Sequence, residues 1–138
     1  MKCKNFLDFL PDNFRHEKSF FKNNQVSFET LSNLSDLDIN EIQRKSPLCT
    51  FNNLKKIRAI AIFKKEISIS PPESYILLHC GIGSIKSLSV STPYEIERKI
   101  GRLERSLKVK TQTAITFSLL KEWIKRASEI DKSIGNLG

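Results

Sequence analysis

A chain of 138 residues, 39% hydrophobic and 28% charged, has enough apolar surface for one core, and its five Gly and five Pro point to order outside the ends. Three cysteines, Cys3, Cys49 and Cys80, lie at long spacings without a CxxC pair; this excludes a disulfide framework or zinc knuckle, and a reducing, cytoplasmic setting is expected. The apolar start is broken by Asp8 and Pro11, unlike a signal peptide, and the longest apolar run, Ala59 to Phe63, is far short of the roughly 20 residues that span a bilayer, so no membrane partner is expected.

Residues 1–11 form an apolar amino-terminal segment in which Phe6, Leu7, Phe9 and Leu10, with Phe14 just beyond, either pack back on the domain, the favoured reading, or dock into a partner. Helices are predicted from Asn13 to about Lys22, from Asp36 to about Arg44 and from Phe51 to about Phe63, started by Asp12, Ser35 and Thr50. Ile67-Ser68-Ile69-Ser70 alternates like a strand but ends in a helix cap and reads as a linker. Ser70-Pro71-Pro72-Glu73 then combines a capping hydroxyl, proline in the first turn and a capping-box carboxylate, predicting a helix through Cys80. Thr92-Pro93-Tyr94-Glu95 repeats that chemistry before Ile96, Ile100, Leu103 and Leu107, one buried stripe. From about Ala114 to Ile130 a last helix sets Phe117, Leu120, Trp123, Ile124, Ala127 and Ile130 against Lys121, Glu122, Lys125 and Arg126. Residues 132–138 are expected to be a flexible tail.

An offset of 57 places Phe21 on Leu78, Ser27 on Ser84, Phe28 on Ile85, Leu31 on Leu88, Ser35 on Thr92, Asp38 on Glu95 and Ile39 on Ile96. With nine more residues around Gly101 to Lys110, Phe51 to Ile57 falls on Phe117 to Trp123. Shared caps and shared apolar spacing predict an all-α fold of two tandem repeats, 12–66 and 67–131, forming one compact helical domain.

In the second repeat, Leu78-His79-Cys80-Gly81-Ile82-Gly83-Ser84 resembles the Gly-hydrophobic-Gly turn of helix-hairpin-helix modules. Together with Lys99-Ile100-Gly101-Arg102-Leu103-Glu104-Arg105 and Trp123 to Ala127, it is similar to an uncharacterised family of tandem helix-hairpin-helix-like domains of unknown function found among photosynthetic bacteria. The resemblance implies a fold and a loose nucleic-acid expectation, with no catalytic residues. Two readings of the turn stand: Gly81, Ile82, Gly83 and Ser84 present amides to a phosphate, or the glycines only make a tight turn. The first repeat has Asn24-Gln25-Val26-Ser27 there, so at most one hairpin is a phosphate binder.

The net charge of +8 is unevenly spread: residues 44–65 carry seven basic and no acidic side chains, and residues 98–126 carry nine basic and two acidic. Arg98, Arg102 and Arg105 recur at i, i+4 and i+7, away from Ile96 and Ile100, and Lys108 and Lys110 extend them. Such a ladder tracks phosphates; the alternative is a solvated face paired with Glu97 and Glu104. His16 and His79 lack carboxylates at ligand spacing, and no Walker loop, HExxH or nucleophile elbow occurs, so neither enzyme activity nor a metal or cofactor is expected. Phe20, Phe21, Phe117 and Trp123 are predicted to be core, leaving base stacking little support. The expectation is a non-catalytic binder of DNA or RNA phosphates through the Gly81–Ser84 turn, Lys86, Arg98, Arg102, Arg105, Lys108, Lys110, Lys121 and Lys125. The alternative is an adaptor or accessory subunit whose basic face meets an acidic protein.

Overall fold

The structure, a computed structural model, describes residues 10–24, 26–107 and 115–137. Among them the chain is all helical: a 3₁₀ turn Asp12–Phe14, then α1 Arg15–Asn23, α2 Phe28–Ser32, α3 Asp36–Lys45, α4 Phe51–Ile67, α5 Pro71–His79, α6 Ile85–Ser89, α7 Pro93–Leu107 and α8 Phe117–Leu137. Packing divides the chain into two compact units, Met1–Glu66 and Ile67–Gly138.

Hydroxyls start most of these helices. Ser27, Ser35, Thr50, Ser70, Ser84, Thr92 and Thr116 each accept the backbone N–H three residues on, at 3.1 to 3.4 Å, satisfying an amide that has no partner inside the helix. The Ser35 and Thr92 amides in turn donate to the Asp38 and Glu95 carboxylates. Glu73 instead accepts from the Ser70 hydroxyl, at 2.8 Å. The predicted start at Asp12 is corrected: no side chain caps there, because the Phe14 and Arg15 amides already bond the Pro11 and Asp12 carbonyls.

In the first unit Leu10, Phe14, Phe21, Leu31, Ile39, Leu54, Ile57 and Ile60 are buried. Phe14 and Leu10 therefore pack inward; Phe6, Leu7 and Phe9 lie outside the described residues. The middle of α4 is buried on nearly every side, with Ala59, Ile60, Ala61 and Phe63 all buried, as expected of a helix apolar all round. Glu17, 1% exposed, joins α1 to the start of α4: its carboxylate accepts the Thr50 amide at 2.8 Å and the Asn53 side-chain amide at 3.4 Å. A carboxylate there is favoured by the positive end of the helix dipole.

In the second unit α6 and α7 both pack on α8, and α5 meets α7. Leu77, Ile82, Leu88, Ile96, Ile100, Leu120, Trp123 and Ala127 are buried between them. Arg126 ties α8 to the entry of α5 by donating to the Ile67 carbonyl at 3.0 Å, while pairing with Glu122 at 2.9 Å.

Boundaries differ from expectation in two places. Helix α4 runs through Ile67, so the linker shortens to residues 68–70, where Ser68 takes a positive φ of 66° and Ile69 is buried. Helix α8 continues to Leu137, past the expected end at Ile130 and through most of the expected tail.

Candidate nucleic-acid interface

The turn after α5 is a helix cap in which each glycine has a different standing. Gly81 N–H donates to the Leu78 carbonyl at 3.0 Å and Ile82 N–H to the Leu77 carbonyl at 2.9 Å, the paired bonds of a Schellman stop. Gly81 takes the left-handed conformation this requires, φ +85°, which glycine adopts without strain. Ile82 and Leu77, at the positions of the apolar pair that accompanies such a stop, are both buried. Gly83 has no positive φ, and a Cβ there would meet only Leu78 Cδ2 at 3.5 Å, an ordinary contact. Ser84 and Ser87 then cap α6 reciprocally, each hydroxyl accepting the other's amide at 3.1 Å, so two amides that face outward at the turn are already bonded. Lys86 is exposed in the first turn of α6.

Helix α7 carries the cationic row. Ile96 and Ile100 are buried, whereas Arg98, Arg102 and Arg105 are exposed. Among the described residues no carboxylate pairs with these three; the ion pairs are Arg44 with Glu41, Arg58 with Asp36 and Arg126 with Glu122. Glu104, expected as a local partner, is itself engaged. Gly101 lies within the row, and the Arg105 guanidinium folds back to 3.4 Å from where its Cβ would stand. Lys108 and Lys110 lie outside the described residues.

On α8, Lys121 and Lys125 are exposed, and the Lys121 ammonium sits 6.0 Å from the centre of the Phe117 ring. Phe117 is only half-buried, a correction to its predicted core position: it opens α8, where the first turn still projects from the packing. Its ring lies 4.9 Å from that of Tyr94, which is 69% exposed and which the sequence pattern did not single out. Phe20 is likewise half-buried, its ring 5.5 Å from that of Phe21; Phe21 and Trp123 are buried as expected. The missed signal for Tyr94 was its spacing, four residues before Arg98 on the polar side of the helix.

Residues 14–130 match the family described as Domain of unknown function (DUF4332). The chain belongs to this family. No curated protein and no solved structure matches the chain. Among the described residues of this DUF4332 domain no three His, Cys, Asp or Glu side chains converge to hold a metal, and no helix is long and apolar enough to cross a membrane. Burial pushes the Cys49 thiol up, opposed by its hydrogen bond to Ser46 and reinforced by Glu17; burial also raises Cys80, opposed by the Lys99 ammonium. Both thiols are thus held in the poorly nucleophilic protonated form at neutral pH.

Proposed function

We propose that the domain is a non-catalytic nucleic-acid-binding module that grips backbone phosphates of DNA or RNA with little sequence preference. The observation that carries this reading is the exposed row Arg98, Arg102 and Arg105, opposite the buried face of α7 and without carboxylate ion-pair partners among the described residues. An unpaired guanidinium fork is matched to phosphate oxygens, and Lys86, Lys121 and Lys125 add charge in the same unit. Lys108 and Lys110 belong to this proposal by sequence. The Gly81–Ser84 turn is a secondary contact at most, since its features are accounted for by helix capping. Two duplicated helix-hairpin-helix-like repeats, a reducing cytoplasmic location and the absence of catalysis complete the reading. It is supported by the free Cys49 and Cys80 thiols and by the local parallels between the two units.

The test is the salt dependence of binding. Log K falls with log salt by about 0.9 per phosphate neutralised on a duplex and about 0.7 on a single strand. Changing Arg98, Arg102 and Arg105 together to Ala flattens that slope by roughly two to three, equally for unrelated sequences. A wild-type domain that binds neither DNA nor RNA at low ionic strength ends this reading. An adaptor role for an acidic protein then takes its place, favoured by Leu37 and Leu48, which are 79% and 66% exposed.

A further inference from the structure

Turning α7 at about 100° per residue places Tyr94, Arg98, Arg102 and Arg105 within about 80° of arc, with Gly101 about 20° outside its edge and Ile96 and Ile100 on the far side. Tyr94 is therefore the first member of the arginine row. It is also the one aromatic ring among the described residues that is large, mostly exposed and backed by a second ring: Phe117 supports it at 4.9 Å with the planes tilted 56°. The Lys121 ammonium beside Phe117 adds a cation at the edge of this pair. A rise of about 1.5 Å per residue gives roughly 16 Å from Tyr94 to Arg105, and a stacked strand advances about 3.4 Å per nucleotide, so the row spans four or five nucleotides.

We propose that Tyr94, supported by Phe117, is a stacking platform for an unpaired base, and that the ligand of the α7 row is single-stranded nucleic acid. The inference rests on the nucleic-acid reading above and narrows it. A duplex shows its bases only as edges in the grooves and offers no ring face to a tyrosine on a helix surface, whereas an unpaired base does. The guanidiniums of Arg98 and Arg105 then fall where the following phosphates run, and Gly101, with Arg105 folded over it, keeps the helix surface low between them. Base stacking on an aromatic ring tolerates any base, which fits a row with no side chain placed for reading base edges.

The experiment compares two probes of equal charge by fluorescence anisotropy at low ionic strength: an oligothymidylate of about ten nucleotides, and an abasic strand of the same length. The wild-type domain is expected to bind the thymidylate about tenfold more tightly than the abasic strand, the worth of one stacked base. Tyr94→Ala lowers thymidylate binding to the level of the abasic strand, Tyr94→Phe keeps the preference, and a helical circular dichroism spectrum confirms that both variants are folded. Equal wild-type binding of the two probes, or a preference that survives Tyr94→Ala, overturns the platform while leaving phosphate binding standing. Binding of neither probe overturns both readings. An acidic peptide bound as tightly as the thymidylate, with the same loss in Tyr94→Ala, gives the face to a protein partner and also overturns the proposal.

Discussion

After α1, the Val26 amide donates to the Phe21 carbonyl at 3.1 Å; after α5, the Ile82 amide donates to the Leu77 carbonyl at 2.9 Å. Both bonds reach back five residues and both end on the carbonyl of a buried residue, yet the connections differ in length, with Asn24 three residues before the capping Ser27 and Cys80 four before Ser84. The matching partners are thus 56 apart before the turn and 57 after it. In this local bond pattern Phe21 therefore stands where Leu77 stands, and the longer connection has its additional residue in the turn. The first unit closes its helix with the Asn24 side-chain amide on the Phe20 carbonyl at 2.8 Å, the second with Gly81 at positive φ. One stop is therefore built with a polar side chain and the other with backbone freedom, and a Gly-x-Gly pattern read as a unit merges a residue that the stop requires with one that it does not.

The basic charge separates the units in the same way. In the first, Arg58 is held by Asp36 at 2.9 Å and the Leu34 carbonyl at 3.0 Å, Arg44 by Glu41, and the Lys55 ammonium rests over the Phe51 ring at 5.4 Å. In the second, the three α7 arginines reach solvent. Seven basic residues without an acid between them mark residues 44–65 in the sequence, but Asp36, from an earlier helix, folds onto Arg58, and Glu41, one turn back on the same helix, pairs with Arg44.

The largest effect expected from probing this comparison is in the cores. Leu31 and Leu88, both fully buried in the short helices, should each cost about 3 kcal/mol when changed to Ala. Hydrogen exchange should then rise first in the helices of the mutated unit, and an equal rise in both units for either variant would show that they open as one. Next come the carboxylates: Glu17→Ala strips the Thr50 amide of its buried acceptor and should cost about 2 kcal/mol in urea denaturation, whereas Glu73→Ala loses a local cap worth about 1 kcal/mol. Equal losses would mean that the bond across 33 residues is no stronger than the local one. The smallest contrast is within the turn, where Gly81→Ala should lower stability by about 1 kcal/mol and Gly83→Ala by less than about 0.5. Comparable costs in thermal melts would refute the separate roles of the two glycines.

Much of the fold was legible because its signals are local. A serine or threonine followed three residues on by a carboxylate marks Ser35, Ser70 and Thr92 without reference to the rest of the chain, and the 3.6-residue spacing of Ile96 and Ile100 identifies the inner side of α7. What escaped was set by backbone bonds and packing that residue spacing does not show. The Asp12 start failed because backbone carbonyls had already taken the amides. Phe117 was read as core from its apolar character, although only neighbours decide whether the first residue of a helix is covered. The site was legible as a charge cluster, and Arg98, Arg102 and Arg105 are indeed brought to one face, but Tyr94 gains meaning only from the ring that packs beside it.

The hydroxyl that opens nearly every helix also makes the connections editable. Because each start is declared by its own residue, a connection can gain or lose a residue without disturbing the helix that follows. The turn between Cys80 and Ser84 is one residue longer than its counterpart, and α7 has 15 residues where α3 has 10, while the next helices still open on Ser84 and Thr116 with their first amides bonded. In such a chain, variation in length accumulates between a stop and the next start, and the surfaces those connections carry are free to diverge while the helices keep their places.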